Sequence, residues 1–506
     1  MAGPYVIGVD GGTGGMRAGV FDLQGTPVAF ASTEYETRFP QPSWAEQGPE
    51  DWWQALGAAV RAAMAEAGVD GSAISAISVD TTCCSVVALD ENGAPLRPAL
   101  IWMDMRSVPQ TEKVVATGDA ALAVNGAGAG PVSAEWMIPK AMWLKENEPE
   151  IFDRAATICE FQDYITYHLT GRMVASINNV SARWHYRSGA GGYAAEMVRA
   201  LGMEAILEKW PQEVLALGEV VSGLTPRAAE HLGLPAGLPV AQGGADAFIG
   251  MIGLGVVRPG RLAFITGSSH LHLGLSETPF NGRGIWGTYA DSVIPGLHVT
   301  EGGQTSTGSI VNWFRNMLGD SADYDVLNAE AAALPPGSEG LVVLEHFQGN
   351  RTPYTDPLSR GVLSGLTLKH GRGHIFRAVL EGISFGTELI LETMRDNGFR
   401  PKDIVVAGGA TRSDLWLKIH ADVSGLPLIL TRVADAPSLG CACLAAVAAG
   451  HYGDIAEAAD AMVQVERTIE PDMAVHEAYR PFYEAYKASY PALKDVLHAQ
   501  ARAAAG

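Results

Sequence analysis

The stretch YVIGVDGGTGGMRAGVFD, residues 5–22, reads as an apolar strand, a turn and a second apolar strand. The turn carries Asp10, Gly11, Gly12, Thr13, Gly14 and Gly15. Glycines at four of the last five of those positions let a backbone come close to a bulky anion with no Cβ in the way. Exposed N–H groups in such a turn form an anion-binding concavity. Asp10 stands where a carboxylate can hold a divalent cation against that anion, and Arg17 adds positive charge. The alternative is a plain glycine-rich hairpin with a surface aspartate. The spacing fits neither GxxxxGK[ST] nor GxGxxG.

Working outward, 506 residues imply two or more domains. The chain has 35 basic and 56 acidic residues, a net charge of −21. That balance disfavours a nucleic-acid or anionic-membrane surface, so an anionic substrate needs local positive charge or a metal. The five cysteines, Cys83, Cys84, Cys159, Cys441 and Cys443, match no zinc spacing, and an odd number argues against a disulfide framework. Reduced thiols in the cytosol are expected. Residues 1–9 lack the basic and long apolar regions of a signal peptide, and no apolar run approaches the ~20 residues of a membrane span. The expectation is a cytoplasmic protein with no nucleic-acid or membrane partner.

Along the chain, an amphipathic helix is expected from Pro49 to about Ala67 and a buried strand over 74–80 (ISAISVD), ending at Asp80-Thr81-Thr82-Cys83-Cys84-Ser85. The vicinal cysteines read as small polarizable packing residues, with a redox-sensitive pair as the alternative. Asp104 and Arg106 either pair with each other or meet a substrate. Lys140, near a helix start, is unfavourable for the helix dipole; it answers an anion or a substrate hydroxyl, or it is a solvated surface lysine. The Gly/Pro-rich segment 221–239 reads as the domain boundary. Beyond it, VAQGGADAFIGMIGLG (240–255) carries Asp246, and LAFITGSSHLHLGL (262–275) looks like a second copy of the opening hairpin. Two such halves suggest two similar domains facing a cleft, where ligands often sit. Glu301 is expected to head a helix over 305–318, as a cap or as a site acid. IVVAGG (404–409) then gives a strand and a Gly-Gly turn at its carboxyl end, the ligand-binding end of open α/β sheets. A helical tail follows from Asp472.

These residues resemble the FGGY carbohydrate kinases of the actin-like ATPase superfold. The likeness lies in the opening hairpin, and in GVLSGL (361–366) followed by His374-Ile375 and Ala378-Val379-Leu380-Glu381, which matches the family's C-terminal signature. The segment EWMIPKAMWLKEN (135–147) departs from the usual N-terminal signature and is similar to the variant of ribulose-type kinases. Cys83-Cys84, Trp102-Met103-Asp104 and Glu301-Gly302-Gly303-Gln304 point the same way. The resemblance implies an α/β fold of two actin-like (ribonuclease H-like) ATPase domains around a central cleft. It divides the chain into a sugar-binding domain (1–238), a nucleotide-binding domain (239–472) and a helical tail (473–506). It also implies phosphoryl transfer from ATP, with Mg²⁺, to a ketopentose such as D- or L-ribulose; the alternatives are a kinase for xylulose, erythritol or another pentitol, and a non-catalytic actin-like sugar sensor. Asp246 would be the catalytic base, and Asp10 and Asp246 would organise Mg²⁺. Gly12, Thr13, Arg17, Gly267 and Ser268 would face phosphates, while Gly408, Gly409, Ala410 and Ser413 would line the adenine pocket. Cys83, Lys140, Asp246 and Glu301 would contact the sugar. Family habit implies a homodimer.

Overall fold

In the computed structural model the described residues are all but 1–2, 129, 131, 281, 283, 320–321 and 506. The opening hairpin forms as expected: β1 (Tyr5–Gly11) and β2 (Gly15–Asp22) pair antiparallel, and β3 (Pro27–Glu34) continues the meander. The apolar run over 74–80 becomes β4 (Ile74–Thr81), parallel to β1. The sheet is completed by β5 (Val220–Gly223) and β6 (Pro239–Ala241), giving the order β5-β6-β4-β1-β2-β3.

The second half repeats this plan. Strands β7 (Arg261–Thr266), β8 (His270–Ser276) and β10 (His298–Gln304) form the meander, with β9 (Gly287–Ala290) added at its edge. Strand β11 (Asp403–Gly408) lies parallel to β7, then come β12 (Leu428–Thr431) and an antiparallel edge strand β13 (Val465–Ile469). In both sheets the antiparallel hairpin closes on a glycine-bearing turn; the parallel neighbour ends in Thr82-Cys83-Cys84-Ser85 in the first sheet and in Gly408-Gly409 in the second, and the two sets of turns face one cleft.

The segment 221–239 does not separate the domains. It makes β5, a helix over Pro226–Leu232 and β6, so the first sheet keeps the chain through Ala241 and the crossing comes after it. Glu301 likewise lies within β10 and not at a helix start; the helix begins at Gly308. Extended backbone there points alternate side chains to opposite faces, which turns Glu301 toward the cleft.

The halves meet through the helices Asp246–Gly253 and Ala436–Ala448, the latter rich in small residues. A Cβ on Gly8 would stand 1.9 Å from the Ser438 carbonyl oxygen, and one on Gly253 would stand 1.9 Å from that of Ala436. Backbone touches backbone at both points, and one apolar core runs from Val6 and Phe21 through Ile249 to Leu273 and Ala442. The tail is a single helix, Met473–Ala505, whose Tyr479, Tyr486 and Tyr490 are buried against the second domain.

Candidate active site

The turn after β1 is tied from outside. The Tyr35 hydroxyl donates to the Gly12 carbonyl, Gln47 Nε2 donates to the Thr13 carbonyl (2.7 Å), and the Trp102 indole N–H donates to Thr13 Oγ1 (2.9 Å). Its inner side is open: a Cβ on Gly12 would find no atom nearer than 3.7 Å, and one on Gly14 none within 4 Å. Across the cleft the same holds at Gly267, with 3.6 Å to its nearest neighbour, and at Gly409, with nothing within 4 Å. Glycines that are free of protein contact and face a cleft leave room for a ligand to touch backbone.

Beside that turn sit three carboxyls. Asp10 on β1 pairs in register with Asp80 on β4. Burial, then the charges of Asp246 and Asp435, push the Asp10 carboxyl up to about 7. Burial pushes Asp246 up to about 6, against the Ala247 N–H (2.7 Å) and the charge of Arg183. Asp80 is buried and raised well above the usual carboxylate range, and it accepts from the Cys441 thiol at 3.2 Å. Asp10 Oδ1 is buried with no hydrogen-bond partner. No group of three or more His, Cys, Asp or Glu among the described residues forms a metal cage. An orphaned carboxylate oxygen beside a second repelling carboxylate suits Mg²⁺, which keeps most of its waters and takes one or two carboxylates.

Asp10, Asp246, Cys83 and Glu301 line one cavity of about 450 Å³, with Gly12 and Thr13 on its wall. Two arginines absent from the sequence reading belong to the same wall. Arg183, buried at the end of the helix Ile177–Arg183, donates to Glu301 (3.1 and 3.3 Å) and to the Tyr289 hydroxyl (2.9 Å), joining the two halves. Arg351 donates to Glu301 at 3.2 Å and lies over the Trp286 ring. Burial disfavours the Glu301 charge, but Arg183 and Arg351 outweigh it and hold the carboxyl below its ordinary value. Arg183 stands in a polar, aromatic stretch without periodicity, so no sequence signal marks it.

Two of the expected site residues do not line the cavity. Lys140 is fully buried and its ammonium donates to the carbonyls of Cys84 (2.6 Å), Ile101 (2.6 Å) and Leu100 (3.3 Å). An ammonium has three donors, so it is spent on backbone beneath the cavity and is neither solvated nor on the wall. Arg17 does not reach the wall either: its Nε bonds Asp435 at 2.7 Å and its guanidinium lies over the Phe30 ring. Asp104 and Arg106 pair with each other, at 2.7 Å.

A second cavity of about 800 Å³ adjoins the first in the C-terminal half, lined by Gly267, Ser268, Gly409, Ala410, Ser413 and Trp416 among others. Gly408 and Ser269 face the smaller cavity, so the two are separated only by these glycine and serine turns. Ser413 is on the wall, but its hydroxyl is used: it donates to Asn328 Oδ1 (3.0 Å) and accepts the Trp416 N–H (3.3 Å) as a helix cap. Trp416 and Phe376 give the cavity aromatic surface for a flat ring.

Residues 5–253 match the N-terminal domain, and residues 262–449 the C-terminal domain, of the FGGY family of carbohydrate kinases. A human protein named FGGY carbohydrate kinase domain-containing protein is 30% identical, the alignment covering 95% of each chain. A Halalkalibacterium halodurans protein named ribulokinase is 32% identical over 96% of this chain and 94% of its own. A solved structure described as xylulose kinase from Rhodospirillum rubrum superposes with a TM-score of 0.89 at 31% identity, covering 98% of this chain and all of the other.

Proposed function

Since the chain belongs to the FGGY family of carbohydrate kinases and is a sugar phosphotransferase, we propose that it transfers the γ-phosphate of ATP to a hydroxyl of a ketopentose, D- or L-ribulose. The observation that carries the reading is one cavity wall that brings together Asp246, the open Gly12–Thr13 turn and the Arg183–Glu301 pair. The larger cavity takes the nucleoside, and the turns at Gly12–Thr13 and Gly267–Ser268 offer backbone N–H groups to the phosphates. The sugar lies against Cys83 and Glu301, with Arg183 as a further donor. Asp246 accepts the proton of the attacking hydroxyl. Its carboxyl, held near 6, is mostly ionised at neutral pH and close to the operating pH that favours general-base catalysis. Asp10 and Asp246 would hold Mg²⁺, which would supply neutralisation of charge on the transferring phosphates. Drawing the two halves together around both substrates excludes water and limits idle hydrolysis.

The ribulose reading is supported by the ribulokinase relatives at about 30% identity. A xylulose acceptor is favoured by one observation, the 31% identity with the R. rubrum protein described as a xylulose kinase. A coupled ADP-release screen with ATP and Mg²⁺ over ketopentoses, aldoses and polyols separates them. One ribulose epimer far above the rest supports the proposal, and a winning xylulose or polyol replaces the substrate but keeps the mechanism. ATP binding with no sugar-stimulated turnover would overturn the catalytic reading.

A further inference from the structure

Cys83 and Cys84 are adjacent in the chain and their sulfurs are 3.6 Å apart, the Cys84 thiol donating to the Cys83 sulfur. Both cysteines line the smaller cavity, Cys83 partly exposed and Cys84 buried. The backbone that places them is strained and then clamped. Cys84 has φ +64°, in the left-handed region that side chains with a Cβ rarely occupy. Its N–H is taken by Glu160 Oε2 at 2.9 Å, and its carbonyl accepts from the buried Lys140 at 2.6 Å. Two fully buried charged groups therefore fix one sulfur against another at the mouth of the substrate cavity. Packing alone does not require this. Strain held in place by its surroundings concentrates at functional sites.

We propose that Cys83-Cys84 is a modification site, a vicinal dithiol that small disulfides of the glutathione type convert to a ring disulfide, closing the cavity to its acceptor. Cys83 attacks, because it is the more exposed of the pair and the Cys84 thiol points its proton at the Cys83 sulfur. The Cys83 sulfur displaces one thiolate from the disulfide and forms a mixed disulfide. Cys84 gives up its proton and attacks the Cys83 sulfur, releasing the second thiolate. Two protein thiols are oxidised by two electrons, one small disulfide is reduced to two thiols, and the protons pass to them. Covalent closure needs the sulfurs at ~2.05 Å. Since Cys84 is the clamped partner, Cys83 moves, and the acceptor wall moves with it. The thiol chemistry does not depend on the proposed acceptor; only its effect on turnover rests on that reading.

The test incubates the reduced full chain with oxidised glutathione and weighs the peptide carrying Cys83-Cys84. The expected peptide is two hydrogens lighter and holds no glutathione, whereas Cys84→Ser, lacking the resolving thiol, keeps one glutathione on Cys83. Sugar kcat/KM falls about 10²-fold, the cost of ~1 Å misplacement in a site; nucleotide binding holds, and dithiothreitol restores turnover. An unmodified peptide, or a stable glutathione adduct on the unsubstituted chain, overturns the proposal. If Cys84→Ser does not fold, phenylarsine oxide, which needs two thiols, takes its place. One equivalent bound before oxidation and none after supports the ring disulfide, and equal uptake overturns it. The peptide mass decides the matter even if no sugar is ever phosphorylated.

Discussion

Asp246 and Lys140 show how burial assigns opposite roles to two charged residues of one site. Asp246 starts the helix Asp246–Gly253 on the cavity wall, and its carboxyl is held near 6 by burial. Asp246→Asn keeps the shape and removes the base, so kcat falls about 10²–10⁴-fold while ATP binding measured by calorimetry stays within a few-fold. The raised value also fixes the pH profile. The base is ionised above about 6 and is lost as pH falls through that value, so kcat/KM for the acceptor drops tenfold per unit below it. A profile flat down to pH 5 would remove Asp246 as the base. Lys140 is a different case. Its pKa is lowered by burial, yet it satisfies three carbonyl oxygens that have no access to water. The Ile101 carbonyl also holds the Asp104 N–H (2.9 Å), and each acceptor left orphaned costs about 1–3 kcal/mol, so Lys140→Met should cost about 1–3 kcal/mol or more and show first as a lowered melting temperature. A raised sugar KM with an unchanged melting temperature would instead restore Lys140 to the wall.

The glycines of the two β-hairpins and their parallel neighbours divide by what surrounds them. Gly8 on β1 meets the Ser438 carbonyl oxygen and Gly408 at the end of β11 meets that of Thr266, each at 1.9 Å from an added Cβ, and both are packing glycines. Gly12 and Gly409 have open space, and their lack of a side chain matters only to a ligand. Gly8→Ala should therefore force the helix Ala436–Ala448 off the first sheet at a cost of about 1–3 kcal/mol or more. Gly409→Ala should leave the melting temperature unchanged and raise the KM for ATP; thermal denaturation beside steady-state kinetics separates the two. The apolar–glycine–apolar pattern made both hairpins legible in the sequence, because strand alternation and turn chemistry are local. The boundary at 221–239 was misread for the opposite reason. Glycine and proline mark a break in regular structure, and an edge hairpin needs such breaks as much as a linker does. Glu301 lies on a strand and not at the expected helix start, since a polar Glu-Gly-Gly-Gln run carries no strand signal until β8 supplies its partner. Arg183 and Arg351 were invisible because a buried arginine is recognisable only by the carboxylate it meets, and Glu301 comes 118 residues after Arg183.

At the scale of the molecule, the net charge of −21 sets the protein's field against an anionic nucleotide. Local chemistry offsets that field within the site: Arg183 and Arg351 face Glu301 on the cavity wall, and the glycine turns present N–H groups. Outside the site the acidic surplus remains, and an approaching nucleotide meets its net repulsion. Salt screens this long-range part far more than the buried contacts, because the Debye length shrinks from about 30 Å at 0.01 M to about 8 Å at 0.15 M while buried pairs are screened little. Raising ionic strength across that range should therefore lower the KM for the magnesium nucleotide and raise kcat/KM several-fold, the reverse of electrostatic steering toward an attractive site. A neutral sugar feels no such field, so its KM should stay constant over the same range. The measurement is a pair of salt titrations, one with nucleotide varied and one with acceptor varied. If kcat/KM for the nucleotide falls with salt, the positive groups of the cleft dominate the approach and the acidic surface does not.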